Sequence, residues 1–259
     1  MISDARKSEL HSAADILIKA RANSTPSDDL PESLRAASLD EAYFVQDVIA
    51  SKLQPEGTLD WKVGAPAPDA TPLFAPMIRA WVGTDGGTFS DKRYRLRGLE
   101  AEIAFKIGKD LLPRSTPYTR EELIEGIESC HPAIEELESG FSVPANVARF
   151  TMFSDLQVHG GFVAGPAVSD WQKIDFARES VALAIDGNIE VVRTASNTAG
   201  TDLLRLVLHL VNEGAARTGG LKRGGWVTTG IWTGNTFAKP GSYISVRFST
   251  AGAVSLHFA

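Results

Sequence analysis

The chain has 259 residues, 43% of them apolar, with 32 acidic against 26 basic side chains and a formal charge of −6. This is the composition of a globular protein rather than a disordered one, and an acidic chain without a basic stripe is a poor electrostatic match for nucleic acid. A single cysteine, Cys130, excludes an intramolecular disulfide framework and thiolate zinc sites, so any bound metal must be held by carboxylates and histidines. No apolar run reaches membrane length, and the segment Met1 to Lys7 leads into no apolar signal core. The expectation is a soluble, cytoplasmic protein with neither nucleic-acid nor membrane partners.

Residues 1–57 read as a helical N-terminal region. Leu10, Ala13, Ala14, Ile16, Leu17 and Ala20 recur at helical spacing before a polar break at Asn23-Ser-Thr-Pro-Ser-Asp-Asp. Ser38-Leu-Asp-Glu41 has the capping-box pattern, and Ala42, Val45, Ile49 and Leu53 give the apolar face of the helix it opens.

From Thr58 to the end, residues 58–259, the pattern turns to short extended pieces punctuated by glycine and proline. Trp61 to Gly64, Ile78 to Val82 and Leu99 to Ile107 read as strands. Thr119 caps a helix with Leu123 and Ile127 on its inner side. Val181–Ile185 and Ile189–Val192 flank Asp186-Gly187-Asn188, a hairpin signal because Asp-Gly readily takes positive φ. A long helix is expected over Thr201–Arg217, stopped by Gly219-Gly220, and strands follow at Trp226–Thr229 and Tyr243–Phe248. The spacing lacks the regular βαβ alternation of a Rossmann fold, so the class is α+β, with a helical N-terminal part on a mainly β body.

The segment Leu99-Glu-Ala-Glu-Ile-Ala-Phe-Lys-Ile107 carries the strongest chemical signal. A two-residue period puts Leu99, Ala101, Ile103, Phe105 and Ile107 on a core face, and Glu100, Glu102, Ala104 and Lys106 on the other. Adjacent carboxylates on one strand face repel; either a hard divalent cation relieves them or the face is a solvated edge with Lys106 as counter-ion. In His131-Pro-Ala-Ile-Glu-Glu-Leu-Glu-Ser139, one of Glu135, Glu136 and Glu138 could complete a three-carboxylate site, the alternative being an exposed acidic turn. Lys62 lies between bulky apolar residues on an expected strand, where it either points to water or serves a metal-bound acid as anchor and proton carrier.

The five histidines form no metal-binding pair; His209 reads as a helix residue, and His159 approaches a site only through its place before Gly160-Gly161. No nucleophile elbow or phosphate-binding glycine loop occurs. Thr229-Gly-Ile-Trp-Thr-Gly234 is either a simple hairpin turn or a set of backbone amides facing a small anion.

Ala42-Tyr-Phe-Val-Gln46, Trp61-Lys-Val-Gly64, Pro72-Leu-Phe-Ala-Pro76, Glu100-Ala-Glu102, Pro132-Ala-Ile-Glu135, Gly160-Gly-Phe-Val-Ala-Gly165 and Thr229-Gly230 occur in this order. Together they resemble the 2-keto-4-pentenoate hydratase and 4-oxalocrotonate decarboxylase branch of the fumarylacetoacetase superfamily, from about residue 30 onward. The resemblance implies a rolled mixed sheet, a homo-oligomer, and Mg2+ or Mn2+ bound by Glu100, Glu102 and Glu135. It further implies that Lys62 contacts substrate and assists proton transfer; beside what the resemblance implies, Glu138 is a weaker acid/base candidate and Arg79, Thr229 and Gly230 are candidates for substrate binding.

The implied reaction is hydration of a 2-hydroxy-2,4-dienoate or related 2-oxo acid in aromatic-compound catabolism. Decarboxylation of an oxalocrotonate-like acid and C–C hydrolysis of an acylpyruvate are the enzymatic alternatives, and an inactive partner subunit the non-enzymatic one. Three departures from the family pattern bear on the reaction. Arg79 stands where an acidic residue is common, as either a fork for a second substrate carboxylate or a surface arginine. Glu138-Ser-Gly140 replaces Asp-Ser-Arg, and Asp155-Leu156 replaces Asp-Asn. Residues 21–60 contain no histidine, which counts against the hydrolytic branch.

Overall fold

The computed structural model describes residues 2–90, 93–168 and 170–259; Met1, where the N-terminal segment begins, lies outside them. Helix α1, Asp4–Asn23, starts where the Ser3 hydroxyl accepts from the Arg6 amide, and ends at Ser24 in the left-handed region. Helix α2, Leu39–Leu53, is capped by Ser38 as expected. Its box closes only halfway, because the Glu41 carboxylate accepts from the Ala37 amide and the Arg6 guanidinium instead of the Ser38 amide. Leu10, Leu17, Val45 and Ile49 of these helices pack with Ile78, Phe141, Val147 and Leu156 of the body in one buried cluster.

The body holds strands β1, Asp60–Gly64; β2, Leu73–Met77; β3, Val82–Thr84; β4, Thr88–Phe89; β5, Gly98–Ile107; β6, Ile127–Leu137; and β7, His159–Ala164. They are followed by β8, Ser180–Ile185; β9, Asn188–Thr194; β10, Trp226–Thr228; β11, Thr236–Phe237; β12, Tyr243–Phe248; and β13, Gly252–Phe258. One mixed sheet runs β2-β1-β10-β5-β6-β7-β3, with β11 pairing onto the start of β5; the other runs β4-β13-β12-β8-β9. The odd residues of β5 (Leu99, Ala101, Ile103, Phe105) share a core with Leu183, Val246 and Leu256 of the second sheet. Short helices α3, Arg120–Gly126, and α4, Arg149–Ser154, and the late pair α5, Leu203–Asn212, and α6, Ala215–Thr218, cover the body. Leu206, Val207 and Leu210 of α5 are fully buried, and each such side chain contributes roughly 1.5–3 kcal/mol of burial.

The α+β class and the rolled mixed sheet agree with the sequence expectation, and four local readings are corrected. The strand expected at Ile78–Val82 lies earlier, at β2: Pro76 is tolerated because β2 is an edge strand, and a 3-10 turn over Arg79–Trp81 separates it from β3. Ile127 opens β6 and is not part of α3. The helix expected over 201–217 breaks at Glu213-Gly214, whose amides both donate to the His209 carbonyl. Of the readings open for residues 131–138 the exposed acidic turn is excluded: they belong, up to Leu137, to the interior strand β6, paired by β5 and β7, and Glu138 follows its end. The Asp186-Gly187 hairpin forms as read, with φ of 51° and 80°. Among the described residues, no helix is long and apolar enough to cross a membrane.

Candidate metal centre

The register of three neighbouring strands builds the site. Glu100 on β5 stands directly opposite Glu135 on β6, and Glu102 is two residues further along the same face of β5. Lys62 on β1 joins them from across β10, being paired with Thr228, which is paired with Ala104. One carboxylate oxygen from each of Glu100, Glu102 and Glu135 lies within 4.8 Å of the other two. Glu102 and Glu135 are 1% and 0% exposed, and β5 is central in its sheet, so neither a solvated edge nor an exposed acidic turn describes these residues.

The electrostatics are those of a site short of positive charge. Burial pushes Glu102 well above the usual carboxylate range, and Glu135 and Glu100 add repulsion. Burial likewise raises Glu100 to about 7, with Lys62 pulling it down and Glu135 pushing it up. Glu135 is the one held ionised: burial disfavours its charge, but Lys62 and His159 outweigh that and lower its pKa. Burial pulls the Lys62 ammonium down, and the three glutamates together bring it above its ordinary value.

Lys62 Nζ is 2.5 Å from Glu135 Oε1 and 3.2 Å from the Gln157 carbonyl. Glu102 Oε2 accepts from the Thr228 hydroxyl and from the Gly230 amide at 3.3 Å. Glu135 Oε2 is buried and has no hydrogen-bond partner. An orphaned carboxylate oxygen beside two further carboxylates fits a hard, oxygen-ligated divalent cation.

Lys62, Glu100, Glu102 and Gly230 line a cavity of about 620 Å³. Leu73, Val143, Met152 and Ile231 provide apolar wall, and Arg149, Gln157 and Asn235 add polar groups. Glu100 and Glu102 are the only acidic residues among the described ones that line it.

The remaining sequence candidates divide. Gly230 lies at the cavity, its φ of 86° turning the amide toward Glu102. Thr229 is buried, with hydroxyl and amide both donating to the Ile103 carbonyl, so it shapes the turn and presents nothing to a ligand. Arg79 does not reach the cavity lining: its guanidinium holds both oxygens of buried Asp60 at 2.8 Å. Glu138 is not among the residues that line the cavity, and its carboxylate accepts from the amides of Arg95, Leu96 and Ser139.

Sequence reasoning missed Thr228 and gave little weight to His159, whose Nδ1 is 2.9 Å from Glu135 Oε1. Their only signals were position, Thr228 one residue before the Thr229-Gly230 turn and His159 before the paired glycines. Burial pushes the His159 pKa down, so the ring is neutral, and a carboxylate partner that only accepts places its proton on Nδ1.

The architecture is the fold seen in 4-oxalocrotonate decarboxylase. The chain aligns with 4-oxalocrotonate decarboxylase from Pseudomonas putida G7, complexed with calcium and acetate, over 97% of its own length and 98% of the other, with TM-score 0.82 and 21% identity. The same decarboxylase complexed with magnesium and adipate gives TM-score 0.81 and 19% identity over the same shares. A 2-hydroxyhepta-2,4-diene-1,7-dioate isomerase from Mycobacterium marinum matches 77% of this chain and 73% of its own, with TM-score 0.55 and 16% identity. No family model matches the chain, and no curated protein matches its sequence.

Proposed function

We propose that the chain is a Mg2+- or Mn2+-dependent lyase that decarboxylates an oxalocrotonate-like 2-oxo dicarboxylic acid. The observation that carries this reading is the cluster of Glu100, Glu102 and Glu135 with Lys62, of which Glu100, Glu102 and Lys62 line a largely apolar cavity. The three glutamates would hold the cation, which when bound supplies electrophilic stabilisation to the oxygen pair of a 2-oxo acid. Lys62, kept protonated by the glutamates, holds a proton where charge develops as the distal C–C bond breaks. In that step CO2 leaves, the bond's electrons pass along the conjugated chain to the 2-oxygen, and this oxygen takes up a proton. Arg149, exposed at the cavity, offers a cation to the second carboxylate of such a substrate.

Hydration of a 2-hydroxy-2,4-dienoate is the second reading, supported by the same metal cluster. It needs a base for the attacking water, and the described cavity lining offers no carboxylate beyond those of the cluster. Decarboxylation has no such requirement, and the full-length likeness to 4-oxalocrotonate decarboxylase supports it. The cytoplasm and a homo-oligomeric state remain part of the proposal.

Product analysis is the test. With Mg2+ and 2-oxo-3-hexenedioate, CO2 should be released, and Glu102→Gln should abolish release while leaving the circular dichroism spectrum intact. Water addition to 2-hydroxypenta-2,4-dienoate without CO2 release would select hydration, and two acid fragments from an acylpyruvate would select hydrolysis. No bound metal and no turnover of any of them would point to an inactive partner subunit.

A further inference from the structure

We infer that His159 is a positioning residue for the metal centre, fixing the Glu135 carboxylate so that one oxygen is committed to the protein and the other is offered to the cation. The inference rests on the reading of Glu100, Glu102 and Glu135 as metal ligands.

Glu135 uses its two oxygens unequally. Oε1 accepts from Lys62 Nζ at 2.5 Å and from His159 Nδ1 at 2.9 Å, whereas Oε2 is buried and accepts nothing. Two donors converging on one oxygen fix the rotation of the carboxylate plane. The division of labour follows from side-chain chemistry. Lys62 is a flexible four-carbon stem with a proton to deliver, so its hold on Oε1 cannot be permanent during turnover. The imidazole is rigid and keeps Glu135 oriented when Lys62 is engaged elsewhere.

The surroundings hold His159 in place. It is fully buried, and its ring stacks on Trp81 with centroids 5.9 Å apart and planes at 27°. Its own carbonyl accepts from the Arg21 guanidinium at 2.8 Å. It directly follows Leu156, Gln157 and Val158, three consecutive non-glycine residues in the left-handed region, with φ of 52°, 53° and 63°. L-residues avoid this conformation, and a branched side chain such as Val158 most of all, so the turn persists only because its neighbours impose it. What the turn achieves is local to the site: it brings the Gln157 carbonyl to Lys62 and the His159 ring to Glu135.

The test is Mn2+ binding, followed by electron paramagnetic resonance without substrate, in wild type, His159→Phe, His159→Leu and His159→Asn. Phe and Leu remove the donor at two different volumes, and Asn places an N–H close to the position of Nδ1. Phe and Leu should weaken Mn2+ binding about 10- to 100-fold, while Asn stays within about threefold of wild type, as expected for loss and rescue of a hydrogen bond that orients a ligand. Wild-type affinity in Phe or Leu would overturn the inference, and so would equal losses in Asn and Phe, which would make shape rather than the donor responsible. Glu102→Gln is the control that separates the two readings. If wild type binds no Mn2+, or Glu102→Gln binds it as well as wild type does, the metal centre itself falls and the inference with it.

Discussion

The Arg21 guanidinium, on the first helix, lies 2.6 Å from the Asp155 carboxylate across 134 positions of sequence, both side chains being buried. Arg21 also donates to the carbonyls of Glu138, Asp155 and His159, and Asp155 accepts from the Ser139 hydroxyl and the Gly140 amide. The N-terminal helix therefore holds the backbone turn that leads into the three-glutamate cluster. Replacing Arg21 by Met would leave the Asp155 charge buried and unpaired. Such breaks cost about 3–5 kcal/mol, so urea denaturation should show a loss of that order. A loss below about 1 kcal/mol would mean that water or rearrangement satisfies Asp155 instead.

The second prediction concerns pH. In the metal-free protein Glu100 has its pKa raised from 4.5 to about 7, first by burial. A carboxyl raised in the folded state contributes stability that is full below its unfolded value and is lost as pH rises through the folded one. The metal-free melting temperature should therefore fall between roughly pH 5 and pH 8, and less steeply in Glu100→Gln. Mg2+ binds the ionised form, so adding it should restore stability above about pH 7 and have little effect near pH 5. A Mg2+ effect of the same size at both ends, read by calorimetry, would contradict this account of Glu100.

Two different signals in the sequence led to the three-glutamate cluster: strand periodicity put Glu100 and Glu102 on one face, and the motif order of the resembled family singled out Glu135 among its neighbours. Periodicity showed that the two β5 glutamates share a face, but not that the face is buried, since that depends on β6 and β10 flanking β5. Arg79 and Glu138 were plausible as charges near the right motifs; only the fold shows that Asp60 and three backbone amides already occupy them. His159 was nearly invisible for the opposite reason. Its role depends on three left-handed residues, and the types Leu, Gln and Val give no warning of that conformation. Two elements were placed wrongly: the strand read at Ile78–Val82 lies earlier, at β2, and the helix read through to Arg217 breaks at Glu213-Gly214, after which no helical residue is buried.

Lys62 should separate catalysis from metal binding. Its ammonium would compete with a cation for the same three carboxylates, yet among the described residues it is the one ionisable proton donor hydrogen-bonded to the cluster that also lines the cavity. In Lys62→Met, kcat should fall about 10²- to 10⁴-fold, the usual contribution of a positioned acid or base. Mn2+ affinity should hold or rise, because His159 still orients Glu135 and one competing charge is gone. Loss of Mn2+ binding in proportion to kcat would instead make Lys62 a structural part of the cluster.

Gly230 links the turn after β10 to the glutamate cluster. Its φ is 86°, its amide donates to Glu102 Oε2 at 3.3 Å, and Asn197 clamps its carbonyl and that of Thr229 at 3.0 Å. A methyl group at Gly230 would meet nothing nearer than Asn197 Oδ1 and Gly64 Cα at 3.6 Å, so Gly230→Ala pays for conformation and not for crowding. That cost is about 1–2 kcal/mol, and relief of it would turn the amide away from Glu102. Gly224, with φ of 82° and open space around it, carries the same strain far from any ligand contact. Both alanine variants should therefore lose similar stability in urea, while only Gly230→Ala weakens Mn2+ binding. Equal Mn2+ affinities in the two would show that the Gly230 amide does not support Glu102.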